Sequence, residues 1–355
     1  MEIINGIEKP LRRLSWPVVT LGVFDGIHRG HLQLINKAIS WAKKEGGESV
    51  VLTFSKSPKV VLGRRPSSII TSLEHRLHFF ERYGVDITVV MEFNDDVANI
   101  KADDFIKRVL HNWLGVKGVV LGHNCSFGKN GEGNKSLINR FANQYGYEVY
   151  SCEPVKLEGQ IISSTLIREA IMCGDLKRAE VMLGRPVTVL GTVVSGSKRG
   201  SKVLFPTANL DLHHEIMPPI GVYGTIVQLN GKEFYAITNI GTRPTFEAEP
   251  FDKINNLETV VEVHILDFAD SIYGQDLEVR FVCKIRDERK FNSVEELKKQ
   301  IEDDRDTFLK HVKMSESEPI TSALNGFSNQ SVTTNLRTQK FLDMSNTCTY
   351  NASKN

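Results

Sequence analysis

No stretch of this sequence is apolar for the roughly 18 residues that a membrane-spanning helix needs. Residues 1–13 mix charges with short apolar pieces and lack the apolar core of a secretion signal. Cysteine is sparse and scattered: Cys125, Cys152, Cys173, Cys283 and Cys348 include no CxxC pair. That spacing argues against a disulfide framework or a zinc site, and for a reducing cytoplasm. Net charge is nearly missing too, at +1, so no bulk field draws the chain to nucleic acid or a membrane. Any anion must be held by local groups. Internal repeats are absent. What remains is an ordinary globular composition, 41% hydrophobic and 25% charged over 355 residues, enough for two domains with separate cores. The expectation is a soluble cytoplasmic protein that binds neither nucleic acid nor membrane; nothing in these features reports its oligomeric state.

From residue 18 to about 168, short β-rich runs alternate with amphipathic stretches. Strands are expected at 18–23, 49–54, 87–91, 118–121 and 148–151, with helices at 31–44, 72–83, 102–114 and 136–145. Ser72 is a natural N-cap and Gly84 a natural stop. The alternation implies crossover connections and a doubly wound parallel sheet, whose ligands bind beyond the carboxyl ends of its strands. Helical texture at 163–172 and 176–182 ends at Leu183-Gly-Arg-Pro186. Beyond it, β-rich segments at 187–194, 221–229, 233–240, 260–266 and 277–284 are separated by Gly, Pro and Asn, which implies a compact antiparallel β-barrel. A last helix at 293–313 opens on Ser293 and Glu296 as a capping box. The expected domains are therefore residues 1–183 and 184–313. Ser, Thr and Asn make up 19 of the last 41 residues, so 314–355 is expected to be a disordered tail.

Leu21-Gly-Val-Phe-Asp-Gly-Ile-His-Arg-Gly-His31 lies between a strand and a helix. His28 and His31, three apart at a helix start, can converge on one point where free N–H groups favour phosphate. Two imidazoles there can stabilise charge developing as an α-phosphate is attacked. Gly30 keeps a side chain out of the way of the approaching nucleotide. In Ile162-Ser-Ser-Thr-Leu-Ile-Arg168, the hydroxyls of Ser163, Ser164 and Thr165 can donate to phosphate, and Arg168 can bind it bidentately. A capped helix and a solvated arginine are the plainer readings of either string alone. Together they resemble the N-terminal module of the bacterial bifunctional riboflavin kinase/FMN adenylyltransferases, which belongs to the HxGH nucleotidyltransferases. The resemblance implies catalytic roles for His28 and His31, nucleotide contacts from Gly22, Phe24, Asp25, Gly30, Ser163, Ser164, Thr165 and Arg168, and a flavin contact at Asn124. This sequence departs from the family pattern at Ser57, Asn124, Cys125, Ser126 and Leu166.

The second half resembles the same family's kinase module. Gly191-Thr-Val-Val-Ser-Gly-Ser-Lys-Arg-Gly200 and Phe205-Pro-Thr-Ala-Asn-Leu210 match its glycine-rich loop and its F-P-T-A-N-L string. Gly196 and Gly200 can expose backbone N–H groups to phosphate, with charge from Lys198 and Arg199. Thr207 and Asn209 project to one side of an extended chain and offer hard oxygens suited to Mg²⁺ carried on ATP, the role the family gives them. Val261-Glu-Val-His-Ile-Leu-Asp267 matches the strand with the family's catalytic base, which places that role on Glu262. Arg286 and Phe291 fall in a segment near the flavin. The implied function is phosphorylation of riboflavin by Mg-ATP to FMN, then adenylylation of FMN to FAD with release of pyrophosphate. The alternatives are a riboflavin kinase whose N-terminal half is a nucleotide- or FMN-binding regulatory module, and an N-terminal half acting on another phosphorylated acceptor.

Overall fold

The computed structural model describes residues 1–7, 12–56, 69–194, 207–213, 215–244 and 257–317. The chain divides into two compact units: Met1–Glu169 with Met182–Gly184 and His214–Ile216, and Ala170–Val181 with Arg185–His213 and Met217–Asn355.

The first unit is a six-stranded parallel sheet. Its strands are β1 (Glu2–Asn5), β2 (Val18–Leu21), β3 (Ser49–Phe54), β4 (Ile87–Met91), β5 (Gly118–Leu121) and β6 (Glu148–Ser151), in the order β1-β4-β3-β2-β5-β6. The helices are α1 (Arg29–Lys44), α2 (Leu73–Tyr83), α3 (Asp95–Ala98), α4 (Ala102–Phe105) and α5 (Lys135–Tyr145). Val19, Val50 and Val119 enter one buried cluster with Phe105, Ile106 and Ile138. Their neighbours Val18, Val51 and Val120 enter another with Ile35, Phe79 and Phe80. The two-residue alternation of strands thus fills both faces, which is why these strands read as unbroken apolar runs.

Four local features differ from the sequence expectation. The strand at 18–23 stops at Leu21, and the chain turns through left-handed φ at Phe24 (54°), Gly26 (82°) and Ile27 (39°). Helix α1 begins at Arg29, with His28 as its N-cap. The helix expected over 102–114 is α-helical only to Phe105 and continues over Ile106–Trp113 as a wider π-type turn. The Leu114 N–H accordingly reaches back five residues to Val109 O. The edge strand β1, largely exposed, was not expected from the sequence.

Helices α6 (Ser164–Met172), which passes into the second unit after Glu169, and α7 (Leu176–Leu183), whose last two residues belong to the first, precede the barrel of the second unit. Strands β9 (Thr188–Val194), β10 (Ala208–Asp211), β11 (Gly221–Leu229), β12 (Lys232–Pro244), β13 (Leu257–Ile265) and β14 (Asp276–Arg286) close in the order β10-β13-β12-β11-β14-β9, every pair antiparallel. A two-stranded hairpin of β7 (Lys156–Leu157) with β8 (Gln160–Ile161) lies earlier in the chain. The last helix, α8 (Val294–Ser317), begins as expected at Ser293, whose hydroxyl accepts from Glu296 N–H at 3.1 Å. The Glu296 carboxylate takes its return bond from Asn292 N–H. The helix runs to Ser317, so residues 314–317 of the expected tail are helical, and 318–355 lie outside the described residues.

Candidate active sites

Beyond the carboxyl ends of β2 and β3, the first unit holds a cavity of about 1000 Å³. Its wall includes Phe24, Asp25, His28, Gly30, His31, Asn124, Ser163, Ser164, Thr165 and Arg168. The sequence expectation for this half is thereby brought to one place, with Gly22 the exception, since it is not on the wall. The His28 and His31 rings stack at 3.6 Å with 17° between planes. His28 Nδ1 accepts from the His31 backbone N–H at 3.3 Å, and Phe24 meets the His31 ring edge-on. A Cβ on Gly30 would lie 3.1 Å from His28 Cε1. The glycine therefore makes room for the imidazole.

Asp25 is fully engaged within the protein. Its Oδ1 accepts from Ile70 and Thr71 N–H at 2.8 and 3.1 Å, and its Oδ2 from Arg168 Nη2 at 3.0 Å. The Thr71 hydroxyl takes the Gly26 N–H at 2.8 Å, and Ser164 donates to Asp25 O at 2.9 Å. Arg168 Nε is buried without a hydrogen-bond partner among the described residues. A phosphate oxygen could meet it.

Arg76, also on the wall, escaped the sequence reading because it resembles any polar helix residue. It is buried, and donates to Val23 O (2.6 Å), Thr53 Oγ1 (2.8 Å), Phe54 O (2.9 Å) and Ser72 O (3.4 Å). Burial pushes its guanidinium down to about 10, against the pull of Asp25 and Glu74. It stays charged at neutral pH and adds positive potential to the cavity. Among the departures from the family pattern, Asn124 lines the cavity and Cys125 stands beside it. Burial raises the Cys125 thiol to about 11, so it is protonated and no nucleophile. Ser57 lies outside the described residues.

In the second unit the barrel register builds a row across neighbouring strands. Asn209 pairs with Glu262, Glu262 with Asn239, Asn239 with Val222 and Val222 with Arg286. Directly opposed residues of an antiparallel pair point to the same face, so Asn209, Glu262 and Asn239 share one. Glu262 alternates with the fully buried Val261 and Val263. Asn209 Oδ1 is buried and has no hydrogen-bond partner among the described residues. An orphaned buried amide oxygen in register with a carboxylate fits a hard cation. Thr207, two residues earlier, is exposed. Gly196, Lys198, Arg199 and Gly200 lie outside the described residues.

Arg286 and Phe291 are brought together, with the guanidinium 5.6 Å from the ring centroid. The sequence did not foresee Asp304, only 2% exposed, whose carboxylate takes Arg286 Nε and Nη2 at 2.9 Å each. Gln300 donates to the same carboxylate at 2.7 Å. An ordinary acidic helix position gives no hint of that role in sequence.

The family model for FAD synthetase matches residues 12–166, and that for riboflavin kinase matches 183–312. The bifunctional riboflavin kinase/FMN adenylyltransferase of Haemophilus influenzae is 37% identical over 86% of this chain and 98% of its own. The Bacillus subtilis protein of that name is 35% identical over 83% and 92%. A solved structure from Streptococcus pneumoniae, named as a macrolide-efflux protein, superposes with a TM-score of 0.72 at 32% identity, covering 87% of this chain and 99% of that one. Among the described residues no helix is long and apolar enough to cross a membrane. Two matched domains and relatives aligned along nearly their whole length place this chain in the bifunctional riboflavin kinase/FMN adenylyltransferase family.

Proposed function

We propose that the second unit transfers the γ-phosphate of ATP to riboflavin, and that the cavity of the first unit joins the resulting FMN to AMP, giving FAD and pyrophosphate. Both family models match, and the relatives carry both activities in their names. A kinase with a non-catalytic N-terminal half is therefore not favoured. The observation that carries the reading is the stacked His28–His31 pair on a cavity that also holds Arg168.

In the first unit, the FMN phosphate attacks the α-phosphorus of ATP, and pyrophosphate leaves. His28 and His31 at the start of α1 meet the charge developing on the phosphate oxygens. Arg168 Nε donates to a phosphate oxygen, while Asp25 holds the same guanidinium in place through Nη2. In the second unit, Glu262 accepts the proton of the ribityl 5′-hydroxyl as that oxygen attacks the γ-phosphorus. Asn209 and Thr207 would hold Mg²⁺, which when bound supplies neutralisation of phosphate charge. The functional division falls near Leu183. The free thiols of Cys125, Cys152 and Cys173 support a cytoplasmic setting.

Chromatography of flavins from the protein supplied with riboflavin, ATP and Mg²⁺ tests this. FMN followed by FAD is expected. FMN that accumulates without FAD overturns the adenylyltransferase reading, and no FMN overturns the kinase reading.

A further inference from the structure

Glu215 comes late in the sequence, between the barrel strands β10 and β11, yet it belongs to the first unit. Its side chain is wholly buried on the cavity wall. The carboxylate accepts Ser72 N–H at 2.7 Å and meets His75 Nδ1 at 2.9 and 3.1 Å, with that imidazole fully buried as well. Its backbone bridges Ile69, and the next residue, Ile216, donates to Ile69 O at 2.7 Å. Glu215 thus clamps the segment Ile69–Ser72 from two sides, and with it the first turn of α2.

That segment is the one on which the histidine loop is built. Ile70 and Thr71 N–H hold Asp25, and the Thr71 hydroxyl holds Gly26 N–H. A Cβ on Gly26 would lie 2.9 Å from Ile70 Cδ1, so turn and segment are in close contact. His28 follows two residues later as the cap of α1. We infer that Glu215 is a positioning residue for adenylyl transfer in the first unit, acting through Ser72 and His75 on the loop that carries Asp25 and His28. Displacement of a reacting group by a fraction of an ångström lowers turnover far more than it lowers ground-state binding.

The inference rests on the adenylyltransferase reading for its kinetic arm, and on the geometry alone for its exchange arm. In the full chain, Glu215→Ala removes both acceptors, and Glu215→Gln keeps one for each donor. With FMN supplied, Glu215→Ala should lower kcat for FAD formation about tenfold, with KM for ATP within about twofold of the unsubstituted chain. Glu215→Gln should recover most of that loss. Amide hydrogen exchange at Gly26, Ile70 and Thr71 should quicken about tenfold in Glu215→Ala and stay slow in Glu215→Gln, with β3 and β4 amides unchanged in both. Unaltered exchange at those three amides overturns the inference. So does quickened exchange throughout β3 and β4, which would mark a merely structural role, and so does a Glu215→Gln variant no better than Glu215→Ala. If the unsubstituted chain makes no FAD, the adenylyltransferase reading fails, and the exchange results still decide the positioning role.

Discussion

Arg76 carries its charge almost wholly out of water, and every acceptor bonded to it is neutral. One guanidinium thus serves four oxygens, of which Ser72 O also takes the Arg76 backbone N–H and Val23 O the Thr53 hydroxyl. Arg76→Met removes all four side-chain bonds and should destabilise the first unit by about 3 kcal/mol, read from urea unfolding, while raising KM for ATP. Glu180 on α7 poses the opposite problem. Burial raises its carboxyl from 4.5 to about 7, with Lys177 pulling the other way. A raised carboxyl favours the folded state while protonated, so stability is lost as pH climbs from about 4.5 through about 7. Glu180→Gln should therefore raise Tm at pH 8 and leave it unchanged at pH 4; an equal gain at both would refute the assignment.

At the scale of elements, much of the chain was readable because caps and patterns agree. Ser72 accepts from His75 N–H as the N-cap of α2, and Gly84 closes that helix at φ 84°. Strands β2, β3, β4 and β5 fall where the apolar runs stand, because both faces of the parallel sheet are covered there. The π-type turn at Ile106–Trp113 was not readable, since one extra residue in a turn leaves the apolar spacing nearly intact. Strand β10 was legible only as an extended string, because its partners β9 and β13 are remote in sequence. Close approach also went unseen. A Cβ on Gly224 of β11 would stand 2.1 Å from Phe308 Cδ2 of α8, and Phe308 is fully buried. Gly224→Ala should cost about 2 kcal/mol by overpacking, seen as an earlier thermal transition of the barrel.

At the scale of the whole molecule, the two chemistries are expected to separate cleanly. His31→Ala should abolish FAD formation while FMN still accumulates from riboflavin. Glu262→Gln should abolish FMN formation while supplied FMN still becomes FAD. One substitution that removed both products from a folded protein would refute two independent sites. Candidate residues for those sites could be named from the sequence where a short string carries them, as at His28, His31, Ser163–Arg168 and Thr207–Asn209. Arg76, Asp304 and Glu215 were not, because their roles exist only through contacts between segments distant in sequence. Glu215 also bears on the order in which the protein is made. A ribosome adding about 5–20 residues per second reaches it roughly 2–9 seconds after Glu169. Throughout that interval every strand of the parallel sheet has been synthesised, but the residue that clamps the Ile69–Ser72 segment has not. The adenylylating half is thus finished only after translation has entered the barrel, although it is encoded first.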